Sequence, residues 1–239
     1  MQSHILPTPS QSKPRIAALD DEEDILELLR STLGPAGFQL ATYARPADFL
    51  ASLSREVPSA LLLDLMMPGM GGFDVCKKLR KDPRTELLPV IMLTARADEI
   101  DKVLAFELGV DDYVTKPFSP RELVSRVKAV LRRTANLGAK KAETLRLGDL
   151  LVLDLSRVKC WVKGVEVVLT TTEFRLLAAL VEHKEMVLAR DQILEKLWNN
   201  EKFVTARTID VHIKHLRTKL GEAGAAIKNI RGMGYKIEP

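Results

Sequence analysis

The segment Leu61-Leu62-Leu63-Asp64-Leu65-Met66-Met67-Pro68 constrains the fold more than any other part of this 239-residue chain. An apolar run that stops at one carboxylate and a Pro/Gly turn describes a buried strand presenting an aspartate at the carboxyl edge of a sheet. In open α/β sheets, ligands bind at that edge. Three companions stand at other strand-to-loop transitions: Asp20-Asp21 after Arg15–Leu19, Thr94 after Val90–Leu93, and Lys116-Pro117 after Tyr113–Thr115. Four strand ends therefore converge on one acidic pocket holding one ammonium.

Each residue type in that pocket has a physical role. Three carboxylates in one cleft repel and raise one another's pKa unless a cation neutralises them, and oxygen ligands suit Mg²⁺. With the metal bound, Asp64 can act as a carboxylate nucleophile towards a phosphoryl donor, while Lys116 balances charge on the transferred oxygens. Thr94 offers a hydroxyl to the same oxygens. Each motif also has an ordinary reading. Asp20-Asp21 alone is most often a helix N-terminal cap, Lys116-Pro117 a loop, Thr94 a strand-end cap and Tyr113 an edge aromatic; their joint occurrence favours the pocket.

Five strand–helix units fit residues 15–133, a pattern that predicts a doubly wound parallel sheet. Residues 1–13 have few apolar side chains and read as a disordered tail without the features of a signal peptide. No apolar run approaches the length of a membrane span, and Cys76 and Cys160 suggest no disulfide framework. Together these features predict a cytoplasmic protein with no membrane partner.

The four motifs, Leu-Asp20-Asp21, Leu-Leu-Asp64-Leu-Met-Met-Pro, Leu93-Thr94-Ala95-Arg96 and Asp111-Asp112-Tyr113-Val-Thr-Lys116-Pro117-Phe118, occur in order. They resemble the receiver domain of two-component response regulators, over residues 14–133. The resemblance implies a flavodoxin-like five-stranded fold with Asp64 as phosphoacceptor. It implies Mg²⁺ held by Asp21, Asp64 and the Met66 carbonyl, with Asp20 reaching it through water. Thr94 and Tyr113 would be a switch pair, and Lys116 the phosphoryl partner, preceding a cis bond to Pro117. A two-fold dimer face would pair Lys102 with Glu122 and Asp112 with Arg126.

Charge divides the chain. Residues 1–120 carry 13 Lys and Arg against 18 Asp and Glu, a balance of −5, whereas residues 121–239 carry 23 against 14, a balance of +9. A basic half suits a phosphate backbone, although ordinary solvated surfaces give similar counts. Residues 134–144, which lack a sustained apolar face, read as a linker. Beyond it come short alternating segments, a capping signal at Thr170–Glu173 before a helix from Phe174 to Glu182, a helix from Arg190 to Trp198, and a third from about Thr205 to Leu220. On that third helix Ile209, Ile213, Leu216 and Leu220 form an apolar stripe. Arg207, Val211, Lys214 and Thr218 form a second, basic stripe flanked by His215 and Arg217.

A solvated amphipathic helix and a DNA recognition helix both fit that pattern. Ile230-Arg231-Gly232-Met233-Gly234-Tyr235-Lys236 then adds a hairpin with a projecting arginine. With Leu-Thr-Thr-Thr-Glu-Phe-Arg-Leu-Leu, Ile-Leu-Glu-Lys-Leu-Trp198 and Thr208-Ile-Asp-Val-His-Ile-Lys-His-Leu-Arg217, residues 145–239 resemble the winged-helix effector domain of OmpR/PhoB-type regulators. By that resemblance Arg207, Val211, Lys214, His215 and Arg217 face DNA and Arg231 probes the minor groove. Residues 199–204 correspond to the segment that touches RNA polymerase in activators. His215, where many relatives place Arg, and Met233 in the wing depart from the family pattern.

The implied function is a phosphorylation-dependent transcription regulator. A sensor histidine kinase would phosphorylate Asp64, promoting receiver dimerisation and tandem DNA binding rather than enzymatic turnover. Two alternatives compete with it. A phosphohydrolase using an aspartyl-phosphate commonly needs a second acid two residues after the nucleophile, where this chain has Met66. The other is a phosphorylation-independent regulator whose receiver serves only to dimerise.

Overall fold

The computed structural model describes residues 13–95, 105, 108–139, 144–198 and 206–239; of residues 133–139 and 206–207 it describes the backbone alone. Strands β1 (Arg15–Leu19), β2 (Gln39–Tyr43), β3 (Ala60–Asp64), β4 (Val90–Thr94) and β5 (Asp112–Thr115) form one parallel sheet in the order β2-β1-β3-β4-β5. Helices α1 (Glu23–Leu33), α2 (Pro46–Ser52), α3 (Gly72–Lys81) and α4 (Pro120–Ala139) pack around it. Strands β3 and β4 are buried along their whole length. Burial on both faces explains why they read as continuous apolar runs instead of alternating ones.

The sheet separates two apolar layers. One contains Leu19, Phe49, Leu61, Leu63, Val75, Leu79, Val90 and Met92; the other contains Ile16, Leu26, Leu29, Leu33, Leu62, Ile91, Leu93, Leu123 and Val127. Leu26, Leu29 and Leu33 follow the three-to-four-residue spacing that puts one stripe of α1 on the sheet. The parallel register sets Asp64 beside Leu93 and Thr94 beside Thr115, which aligns the polar strand ends at one edge. The Lys116–Pro117 peptide is cis.

Helix α4 runs to Ala139, six residues beyond the end at Arg133 expected from sequence. Its last turns occupy the start of the stretch read as linker, because Ala135, Leu137 and Ala139 are good helix formers even without an apolar face to bury. The helix of the fourth expected strand–helix unit, between β4 and β5 near residues 98–108, lies outside the described residues except for Ala105 and Leu108.

The second domain opens with four antiparallel strands, β6 (Thr144–Leu147), β7 (Leu151–Asp154), β8 (Lys159–Val162) and β9 (Val165–Val167). Helices α5 (Thr171–Glu182), α6 (Arg190–Trp198) and α7 (Ala206–Leu220) follow, with β10 (Leu188–Ala189) between the first two. A 3₁₀ turn leads into the wing hairpin β11 (Ile227–Ile230) and β12 (Gly234–Ile237), and β12 also pairs with β10. Gly234, at φ 152°, makes that second pairing possible, since a Cβ there would lie 2.1 Å from the Leu188 carbonyl oxygen.

Thr170 and Glu173 form the expected capping box at the start of α5. The Glu173 amide donates to Thr170 Oγ1 at 3.4 Å, and the Thr170 amide to Glu173 Oε2 at 2.8 Å. The stripe of Ile209, Ile213, Leu216 and Leu220 on α7 is buried as its spacing predicts, in one core with Phe174, Leu177, Trp198 and Tyr235.

Candidate functional site

At the carboxyl edge of the parallel sheet, Asp20, Asp21 and Asp64 each offer an oxygen, and these atoms lie within 4.8 Å of one another. Asp20 and Asp64 are buried and Asp21 is exposed. Lys116 reaches across from the end of β5, its Nζ 2.8 Å from Asp20 Oδ2 and 3.0 Å from Asp64 Oδ1. The Lys116 amide donates to the Thr94 carbonyl at 2.7 Å, which fixes the lysine at the edge shared by β4 and β5. Asp64 Oδ2 accepts the Met66 amide at 2.7 Å, and Asp20 Oδ1 accepts the Glu22 amide at 3.1 Å. One oxygen of each buried carboxylate is thus held by backbone, while the other faces the ammonium.

The loop after β3 is tight enough to demand glycine. A Cβ on Gly72 would sit 2.3 Å from the Asp64 carbonyl oxygen, so the N-terminus of α3 packs directly onto the strand end that carries the aspartate. Burial raises the Asp20 and Asp64 carboxyls above their ordinary value, against the opposing pull of Lys116. Burial alone would depress the Lys116 ammonium, but its bonds to the two aspartates outweigh that effect and raise its pKa. The lysine is therefore a permanent cation.

Three carboxylates around one ammonium leave uncompensated negative charge in a partly buried site, and all the donors are hard oxygens. That donor set fits a hard divalent cation that tolerates water in its coordination sphere. Thr94 is fully buried and Tyr113 nearly so. Sequence reasoning missed Glu22, whose Oε1 lies 3.1 Å from Lys116 Nζ. Its place directly after the acidic pair was the available signal.

The expected DNA-facing side chains do not share one surface. Lys214 and Arg231 are exposed, the latter in the wing turn with Met233, whereas the Arg207 side chain lies outside the described residues. Val211 is buried, 8% exposed, and belongs to the first domain's apolar cluster with Ala105, Val110 and Tyr113. His215 is half-buried and lines a cleft between the domains.

Arg217 is turned inward. Its Nε and Nη2 donate to the Ile227 carbonyl at 3.2 and 2.7 Å, and its guanidinium lies 6.0 Å from the Tyr235 ring centroid. The start of β11 needs a donor there, and a long cation one turn from the end of α7 supplies it. A second tie, absent from the sequence reading, joins α7 to the wing. Tyr235 Oη donates to Asp210 Oδ1 at 2.7 Å, Arg190 Nε donates to the same oxygen at 2.8 Å, and the Arg190 guanidinium stacks 4.7 Å over the Tyr235 ring.

Three of the charges expected to pair across a dimer axis, Asp112, Glu122 and Arg126, are satisfied within the chain. Arg126 Nη1 lies 3.0 Å from Asp112 Oδ1, and Arg126 Nη2 lies 3.1 Å from Glu122 Oε1. Glu122 and Arg126 are four residues apart on α4 and so share a face, and burial of Arg126 and Asp112 favours the immediate intramolecular partner. Lys102 and residues 199–204 lie outside the described residues.

Comparison with known proteins accounts for both halves. Residues 16–128 match the response regulator receiver domain, and residues 164–237 match the C-terminal domain of transcriptional regulatory proteins. The alkaline phosphatase synthesis transcriptional regulatory protein PhoP of Bacillus subtilis is 41% identical, across 94% of this chain and 96% of its own length. The phosphate regulon transcriptional regulatory protein PhoB of Rhizobium meliloti is also 41% identical, across 94% of this chain and 99% of its length. Among solved structures, DrrB, an OmpR/PhoB homologue from Thermotoga maritima, is 31% identical with a TM-score of 0.50, covering 95% of this chain and all of its own. A RitR mutant, 25% identical, reaches a TM-score of 0.72, covering 94% of this chain and 99% of its own.

Proposed function

The chain belongs to the OmpR/PhoB-type response regulators, transcription regulators of two-component systems, and on that premise we propose that Asp64 accepts a phosphoryl group from a sensor histidine kinase and thereby controls DNA binding by the second domain. The observation that carries this reading is the pairing of Lys116 with Asp64 at 3.0 Å beside two further aspartates. In the transfer, an Asp64 carboxylate oxygen forms the new bond to phosphorus, and the bond from phosphorus to the donor histidine nitrogen breaks as the electron pair returns to the ring. Met66 N–H holds Oδ2, and we assign the attack to Oδ1, which faces the Lys116 ammonium. The residues that would hold Mg²⁺ are Asp21, Asp64 and the Met66 carbonyl, with Asp20 through water. When bound, the metal supplies charge neutralisation to the incoming phosphoryl oxygens.

Lys116 stands where it can pair with a phosphoryl oxygen once Asp64 is modified, and the Thr94 hydroxyl is the donor whose movement reports the added charge. Tyr113 shares an apolar cluster with Ala105 and Val110 and is the second half of that switch. In the effector domain, Arg207, Lys214 and the wing residue Arg231 are the proposed phosphate and groove contacts. His215 and Val211 join them only when the domains separate. Phosphorylation promotes a two-fold receiver dimer that uses Glu122 and Lys102, with Asp112 and Arg126 exchanging partners across the axis, and so holds two winged helices in tandem. The remaining elements of the reading are contact of residues 199–204 with RNA polymerase and a cytoplasmic location.

The decisive test is intact-mass measurement after incubation with a small acyl-phosphate donor. The wild-type chain should gain one phosphoryl mass in Mg²⁺ and none in chelator, and Asp64→Ala should gain none in either. An undiminished adduct in Asp64→Ala refutes the assignment.

A further inference from the structure

Glu22 stands at the N-cap of α1 and does not cap it. Its backbone is extended, with φ −85° and ψ 108°, and its carbonyl accepts the Ile25 and Leu26 amides at 3.1 and 3.2 Å, but its side chain accepts no amide of the helix. Ser, Thr, Asp and Asn are favoured at that position because a short side chain turns back onto the first free N–H groups. The Glu22 carboxylate instead reaches Lys116 Nζ at 3.1 Å. The residue at this N-cap therefore serves the acidic pocket and not the helix. It also stands apart from the oxygens suited to a metal, which among the described residues are those of Asp20, Asp21 and Asp64. The Lys116 ammonium has three N–H bonds and three carboxylate partners: Asp20 at 2.8 Å, Asp64 at 3.0 Å and Glu22 at 3.1 Å. Asp20 and Asp64 are buried, and a backbone amide pins one oxygen of each. Glu22 differs from both, because its side chain is 63% exposed and Lys116 is the partner that holds it.

We propose that Glu22 is a positioning residue for phosphoryl transfer: it occupies one N–H of Lys116 in the resting pocket and gives that N–H up to the incoming phosphoryl group. The inference rests on the reading of Asp64 as phosphoacceptor. No bond to Glu22 forms or breaks in the reaction. As the bond from Asp64 Oδ1 to phosphorus forms, that oxygen loses its negative charge and becomes a weak acceptor, while the phosphoryl oxygens bring two negative charges to the same place. Lys116 follows the charge and needs a further N–H to meet it. Asp20 is fully buried, and releasing its share would strand a carboxylate away from water. Glu22 swings into solvent at little cost, since an exposed ion pair shifts an equilibrium by no more than about fivefold. Until it does so, Glu22 both occupies the ammonium and sets a negative charge beside the path of an anionic donor. Both effects oppose transfer, so Glu22 is a brake on adduct formation.

Two substitutions separate this role from a structural one. Glu22→Gln keeps the length of the side chain and removes its charge, whereas Glu22→Ser removes the reach to Lys116 and supplies a favoured N-cap. The full-length wild type, both variants and Asp64→Ala are incubated with acetyl phosphate in Mg²⁺, and adduct formation is followed by intact mass. In parallel, without donor or metal, each chain is treated with an amine-acylating reagent, and modification of Lys116 is read by peptide mass against the exposed Lys78. Thermal unfolding is measured alongside. Both Glu22 variants should form the adduct about threefold to fivefold faster than the wild type, and Lys116 should acylate faster in both. Their stabilities should part, with Glu22→Ser above Glu22→Gln, because only serine caps α1. A capping role does not produce the same acceleration in two variants of unlike stability. Adduct formation at or below the wild-type rate in either variant overturns the proposal. If no chain gains a phosphoryl mass, or if Asp64→Ala gains one, the phosphoacceptor reading fails. Acylation then decides whether Glu22 holds the ammonium: faster modification of Lys116 in the variants upholds it and an unaltered rate refutes it.

Discussion

Mild acid should loosen the DNA-binding domain through one residue. His212 is fully buried on α7, its ring stacked on Trp198 with centroids 5.7 Å apart and planes 27° from parallel. Burial lowers its pKa from 6.5 to about 4, an effect that the nearby Glu173 charge only partly offsets. In the unfolded chain the imidazole takes up a proton below pH 6.5, whereas the folded domain resists until about pH 4. Between those values the unfolded state binds more protons, so stability falls as pH falls through the window and levels off below it. The full difference is worth about 3 kcal/mol, of which about 2 kcal/mol is lost between pH 7 and pH 5. Both tryptophans, Trp161 and Trp198, lie in this domain. Urea unfolding followed by tryptophan fluorescence therefore reports it alone within the intact chain. His212→Phe keeps a ring against Trp198 and removes the titration, while every other ionisable group stays in place. The gap in stability between wild type and variant should shift by about 2 kcal/mol from pH 7 to pH 5, in the variant's favour on acidification. Parallel curves across that range refute the claim that a buried neutral histidine sets the acid limit.

Two further predictions separate positioning from contact. Gly72→Ala should cost the receiver about 1–3 kcal/mol and slow adduct formation at Asp64, because the added Cβ meets the Asp64 carbonyl oxygen 2.3 Å away; hydrogen exchange of β3 and β4 amides together with intact-mass kinetics would show it. Arg217→Ala should destabilise the winged-helix domain by about 1.5–3 kcal/mol while leaving the salt dependence of DNA binding unaltered. Lys214→Ala, by contrast, should reduce that salt slope by about one with little loss of stability. Equal effects of the two substitutions on the slope would return Arg217 to the DNA surface.

The acidic pocket was legible in the sequence because a parallel sheet delivers every strand to the same edge. A polar residue ending an apolar run is therefore placed in space by its position in the run alone, as Asp20, Asp64, Thr94 and Lys116 all are. The winged-helix core was legible for a similar reason: the spacing of Ile209, Ile213, Leu216 and Leu220 fixes which side of α7 meets the body. Spacing does not say what a side chain will touch once it is on the other side. Arg217 satisfies the carbonyl at the start of β11, a backbone need that depends on where the wing crosses the helix. Arg126 meets Asp112 because β5 and α4 are adjacent in space, and that adjacency is a property of the whole sheet.

Val211 shows the same limit in its sharpest form. An apolar residue at the centre of a basic stripe is chemically suited both to a thymine methyl in the major groove and to the apolar patch beside Tyr113, and nothing local distinguishes the two destinations. A recognition helix made only of cations would be poorly held against a receiver surface, since the desolvated charges would need partners. One valine supplies a contact that tolerates burial, and the neighbouring Lys214 keeps its charge in water. On the proposed reading, the sequence of α7 therefore suits two docking modes at once. The Thr172–Asp111 hydrogen bond at 3.2 Å adds a polar tie between the same two domains.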